Sequence, residues 1–141
     1  MYGDKVRIVW KHLPLDMHAK APLAHLASVA AQEQGKFWEF HDKVFGNQQK
    51  LDRPQYVEYA RQLGMDVKRF EDALDKARGK VTVDADKNEA AGIGVSGTPA
   101  FFVNGRFMSG AKPFKDFAQV INAELTRLKI PIPAAAQQAG S

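Results

Sequence analysis

Cysteine is absent from this 141-residue sequence. No residue of the chain can therefore carry out thiol–disulfide exchange, form a thioester or bind zinc through sulfur. The same absence leaves the redox compartment open. Long apolar runs are missing as well: none nears the ~20 residues that cross a bilayer, so no membrane partner is expected. The opening Met1-Tyr2-Gly3-Asp4-Lys5 lacks the apolar stretch of a secretory leader. Charge of one sign is not concentrated anywhere. Lys and Arg number 20 against 16 acids, a net charge of +4, and the basic residues between 76 and 80 alternate with small ones. A nucleic-acid partner is not expected from that pattern. What remains is 45% hydrophobic and 26% charged, the balance of a soluble globular domain. A chain of this length can bury roughly 68–70% of its unfolded surface without metal or disulfide.

Short-range patterns give an order of elements. Val6-Arg7-Ile8-Val9-Trp10 is rich in β-branched residues and reads as a strand. A long helical block follows. Asp16 is read as the cap of a helix running to about Gln34, with Leu23, Leu26, Val29 and Ala30 as its apolar stripe; Pro22 inside that span allows the alternative that the regular helix begins only near it. Phe37, Phe40, Val44 and Phe45 mark a second helix. Asp52 and Asp66 cap a third and a fourth, and Thr82 to Ala91 forms a weaker fifth. Ala100-Phe101-Phe102-Val103 and Arg106-Phe107-Met108-Ser109 flank Asn104-Gly105, the strongest short-range hairpin signal. A last helix carries Phe114, Phe117, Ile121 and Leu125. Residues 129–141, rich in Pro, Ala and Gln, read as a disordered tail.

Most chemistry-bearing residues carry no specific pattern. The four histidines, His12, His18, His25 and His41, lack the close spacing of a metal site and read as surface or helix-end residues. No metal and no cofactor is expected. Glu71, Asp72, Asp84, Asp86 and Glu89 read as solvated acids on polar helix faces. Gly94-Val95-Ser96-Gly97-Thr98 departs from G-x-S-x-G at its last residue, and a strand follows it where a nucleophile elbow needs a helix. Pro99 opens an apolar strand, where its missing N–H removes no ladder bond. Thr98 before it is held toward extended conformations.

The segment G-V-S-G-T-P-A-F-F-V-N-G, residues 94–105, resembles the cis-proline loop and following hairpin of DsbA-like thioredoxin-fold oxidoreductases. Val6 to Leu15 resembles that family's second core strand and its proline-containing exit. His18 to Ala31 and Gly35-Lys36-Phe37-Trp38-Glu39-Phe40-His41 resemble the start of its helical insertion. Leu63-Gly64-Met65-Asp66 with Phe70 continues the insertion, and Phe114 to Leu125 resembles the terminal helix. The resemblance covers residues 5–128. It implies an α/β, thioredoxin-like fold: a core remnant from residues 1–15 and 95–128, an inserted helical subdomain at 16–94, and the tail at 129–141. It also implies a cis Thr98–Pro99 bond, and that Thr98 and Pro99 contact an extended peptide or protein substrate. An extracytoplasmic bacterial parent is implied too, although the chain itself fixes no localisation.

The family's first strand and C-x-x-C helix have no counterpart here, so the chain reads as truncated and redox-inactive, with no catalytic residue and its standing as an enzyme open. An alternative is a fragment of a thiol–disulfide oxidoreductase whose C-x-x-C lies upstream. A remote alternative is a hydrolase using Ser96 or Ser109 with a histidine. In the family the missing strand lies between the counterparts of Val6–Trp10 and Ala100–Val103. Its loss leaves open edges, and a homo-oligomer, most simply a dimer, is expected to cover them.

Overall fold

The structure is a computed structural model that describes residues 1–140. Its elements are α1 (Ala21–Gln32), α2 (Phe37–Gly46), α3 (Arg53–Gln62), α4 (Val67–Asp75), α5 (Lys80–Gly92), β1 (Ala100–Val103), β2 (Arg106–Ser109), α6 (Phe114–Arg127) and a short α7 (Ala134–Gln137). They form two compact units. The helical unit spans residues 11–94, and the hairpin unit combines residues 1–10 with the chain from Val95 onward.

In the helical unit, α1 to α4 enclose Phe40, Tyr56 and Phe70, all fully buried, together with Ala27, Ala30, Ala31, Ala60 and Ala73. Small residues on α1 let the aromatic helices approach closely, and the three large rings fill the space between them. Asp52 and Asp66 act as N-caps, accepting the Gln55 and Arg69 backbone N–H groups at 2.9 Å each. Asp16 does not. The first helix begins at Ala21 with Pro22 in its opening turn, and Asp16 lies exposed, 3.7 Å from Lys87. Proline suits a first turn, where its absent N–H has no intrahelical partner to lose.

In the hairpin unit, β1 and β2 pair antiparallel around Asn104 and Gly105, both at positive φ, the geometry a two-residue hairpin turn requires. Two expectations are corrected here. Residues 6–10 form no strand: Val6 is extended, but no ladder holds the segment, and Ile8 and Val9 are exposed. β-propensity supplies a preference, and a strand exists only where a neighbour accepts its hydrogen bonds. The segment from residue 129 is not a structureless tail. Ala136 is fully buried with Leu125 and Tyr2, and Ile130 and Ile132 pack beside them. Asn122 donates from Nδ2 to the Ala136 carbonyl and accepts the Tyr2 hydroxyl, each at 3.0 Å. Those apolar side chains and that relay give the Ala-rich stretch something to fold against. Ser141 of the same expectation lies outside the described residues.

Candidate functional site

The Thr98–Pro99 peptide bond is cis, and both residues are exposed at the entrance to β1. The Pro99 carbonyl accepts the Gly110 N–H at 2.9 Å, and Val103 faces Arg106 across the turn. An antiparallel ladder alternates bonded and non-bonded pairs. Pairs 99–110, 101–108 and 103–106 therefore take the bonds of the hairpin, and the backbone N–H and C=O of Ala100 and Phe102 point to the opposite edge of β1. Among the described residues the sheet has only these two strands, so that edge is open.

Apolar side chains accompany the open edge. Phe102 is 46% exposed and Phe107 53% exposed, and they form a cross-strand pair with ring centroids 5.1 Å apart. Phe101, on the other face, meets Phe117 of α6 edge-to-face at 4.7 Å. The hairpin tip is fixed to α6 by Glu124. This buried carboxylate accepts bonds from Arg127 at 2.8 and 3.1 Å, from Arg106, and from Asn104 at 3.4 Å. Those bonds, Arg127's first, hold the Glu124 carboxyl down to about 2. Ser96 and Ser109 are both exposed in the hairpin unit, while all four histidines belong to the helical unit.

The helical unit holds a second polar cluster, which the sequence reading missed. His12 is buried, its Nδ1 lies 2.9 Å from Nδ1 of His25, and its backbone N–H donates to Asp86 Oδ2 at 2.8 Å. Lys11 Nζ reaches Asp86 Oδ1 at 3.0 Å and Glu89 Oε2 at 2.8 Å. Burial pushes both imidazoles below their ordinary range, His25 to about 4 with the neighbouring His12 charge adding to the shift. Two expectations are thereby corrected: His12 is no surface residue, and Asp86 is a buried carboxylate anchored by a backbone N–H. Position could have flagged them. His25 sits between Leu23 and Leu26 of the α1 stripe, and Asp86 is three residues after the buried Val83. No group of three or more metal-ligating side chains occurs among the described residues.

Residues 12–122 match the DSBA-like thioredoxin domain. Similar proteins include the Na(+)/H(+) antiporter NhaA 3 of Salinispora tropica, 46% identical over 102 residues, which are 72% of this chain and 16% of that protein. The Na(+)/H(+) antiporter NhaA 1 of Salinispora arenicola is 39% identical over 127 residues, 88% of this chain and 20% of that protein. The Na(+)/H(+) antiporter NhaA of Herminiimonas arsenicoxydans is 39% identical over 122 residues, 86% and 19% respectively. The chain thus spans a fifth or less of the length of these relatives. No described helix is long and apolar enough to cross a membrane, and the transport that those names state remains a property of the longer proteins. With a domain match over most of its length, the chain belongs to the DSBA-like thioredoxin domain family.

Proposed function

We propose that this chain is a polypeptide-binding member of its family that, lacking cysteine, carries out no thiol–disulfide exchange with its own residues. The observation that carries the reading is the open edge of β1, with the Ala100 and Phe102 backbone groups directed outward and Thr98 and Pro99 exposed at its entrance. An extended peptide can add to such an edge as a strand, with main-chain bonds giving affinity and side chains such as Phe102 and Phe107 giving contact area. Titrating the 15N-labelled chain with a cysteine-free unfolded peptide tests this. Amide shifts at Thr98, Ala100 and Phe102 are expected, and the same peptide N-methylated at alternate residues should bind at least tenfold more weakly. Equal binding of the methylated peptide, or shifts confined to the helical unit, would overturn the reading. Disulfide reduction of insulin should stay at the uncatalysed rate, because the attacking thiolate is missing.

A second copy is another occupant of that edge. It is favoured by the β-branched residues Val6, Ile8 and Val9, of which Ile8 and Val9 are 71% and 65% exposed. Light scattering at micromolar concentration distinguishes a dimer from a 15.6 kDa monomer. A third reading makes the chain part of a longer protein, which the small share of each relative that it covers favours; a thiol–disulfide oxidoreductase is the form of it that the family suggests. In-frame codons upstream of Met1 that encode Cys-x-x-Cys would establish it.

A further inference from the structure

The His12–His25 pair ties the start of the helical unit to its helices. His12 lies nine residues before α1 and is held at three points: its ring bonds to His25 of α1, its backbone N–H bonds to Asp86 of α5, and its ring meets Phe37 of α2 edge-on, with centroids 6.2 Å apart. The contact between the two rings is Nδ1 to Nδ1, so one nitrogen must donate and the other accept. This arrangement tolerates one added proton. The donating ring can take it on Nε2, become imidazolium and still donate from Nδ1. A second added proton leaves two Nδ1–H groups and two positive charges facing each other at 2.9 Å, and the bond cannot persist.

We propose that His12 and His25 form an acid-operated latch that keeps the segment from Lys11 to Lys20 on α1 and α5 while the pair holds at most one added proton, and releases it on the second. The charged groups around the pair come from two elements. Asp86 faces it from α5, and Lys11 comes from the segment itself, held between Asp86 and Glu89. From α2 the neighbour is the Phe37 ring. Asp86 favours a first positive charge on His12, but its carboxylate is already engaged by the His12 N–H and by Lys11, so it is poorly placed to neutralise a second. Burial opposes both protonations, which sets release in acid, below the usual imidazole range. The two rings titrate as a pair, with apparent values that belong to the couple.

Histidine Cε1–H NMR shifts of the full chain, followed from pH 8 to pH 3 alongside residue-resolved amide exchange, test the latch. The expected result is that His12 and His25 titrate below the usual imidazole range in two separated steps. Protection of the His12 amide should survive the first and be lost with the second. His25→Gln keeps a side chain able to hydrogen-bond His12 but unable to take the proton, and should move the release to lower pH by roughly one unit or more. His18→Gln should leave it in place. The latch is overturned if both rings titrate in the usual imidazole range, if the His12 amide stays protected through the second step, or if His25→Gln leaves the release midpoint where it was. Should His25→Gln fail to fold, the titration of the unaltered chain still decides.

Discussion

The two units of this chain keep their shape by different means. The helical unit surrounds Phe40, Tyr56 and Phe70 with apolar neighbours from four helices. The hairpin unit has a smaller cluster, Tyr2, Leu125 and Ala136, and relies on directed polar bonds: the Tyr2–Asn122–Ala136 relay and the fork of donors on Glu124. Its larger aromatics, Phe102, Phe107 and Phe114, remain about half exposed. The helical unit also leaves Trp38 and Phe45 about half exposed, but it buries Phe37, Phe40 and Phe70, whereas the hairpin unit buries no phenylalanine. The contrast that bears on the proposed edge-binding is therefore between an aromatic core that holds the helical unit and directed polar bonds that hold the hairpin unit.

The largest test of that contrast is Phe40→Ala. The side chain is fully buried against Tyr56, Tyr59 and Phe70, and deleting a buried Phe typically costs about 3–5 kcal/mol. Urea denaturation followed by far-UV circular dichroism should show the helical unit largely unfolded or much less stable. Phe102→Ala, an equal truncation at an exposed site, should cost far less. Equal losses for the two would erase the distinction between the units.

Glu124→Gln probes the polar bonding of the hairpin unit. Loss of the carboxylate leaves the Arg127, Arg106 and Asn104 donors with a weaker acceptor, so amide exchange at residues 103–106 should quicken while α1 to α4 are unaffected. The pH dependence has a definite sign. Because the folded Glu124 carboxyl sits near 2, below its ordinary 4.5, the unfolded chain takes up the proton first as pH falls. Its contribution is complete above about 4.5 and is lost between there and about 2. Glu124→Gln should remove that dependence. An unchanged acid profile for the hairpin amides would show that Glu124 is not their anchor.

Gly79→Ala comes next. Gly79 precedes α5, and an added Cβ would lie 2.9 Å from Cβ and 3.1 Å from Cγ1 of Val29 on α1. A Cβ is fixed to its backbone and cannot swing aside, so α1 and α5 must separate slightly. Overpacking of this kind typically costs about 1–3 kcal/mol, read as a lower urea midpoint. Gly92→Ala, with open space around the position, should cost little or nothing. Equal effects would mean that the contact with Val29 is not what Gly79 serves.

The sequence disclosed what is local. The Asp52 and Asp66 caps, the Asn104-Gly105 turn and the stripes of α2, α4 and α6 depend on residues a few positions apart, and their chemistry is legible at that range. Residues 6–10 carry a strand's local propensity, but strand formation depends on a distant neighbour. The His12–His25–Asp86 cluster was invisible for the same reason. Its members are 13 and 61 residues apart in sequence, and only the packing of α1 against α5 unites them. The burial of Ala136 likewise depends on Leu125 and Tyr2, so composition alone suggested disorder. The cis Thr98–Pro99 bond is legible through the resemblance of the loop, whereas the outward direction of the Ala100 and Phe102 backbone groups requires the register.

The smallest expected effect has the opposite sign. Tyr56 is fully buried in the helical core, and its hydroxyl has no hydrogen-bond partner among the described residues. A buried hydroxyl without a partner loses its hydration and gains nothing in exchange, whereas phenylalanine keeps the ring and removes the stranded group. Tyr56→Phe should therefore raise stability, by up to about 1 kcal/mol, read as a higher urea midpoint with an unchanged slope. Burial, with Asp52 and Tyr59 adding to it, pushes the Tyr56 phenol up to about 12 from its usual 10. The folded state then retains the proton longer than the unfolded state, so the Tyr56 contribution is complete below about pH 10 and is lost as pH rises toward 12. Tyr56→Phe should flatten that alkaline decline. If the variant is instead less stable than the parent at neutral pH, the hydroxyl is satisfied by a buried water, and the helical unit depends on a directed polar bond as the hairpin unit does.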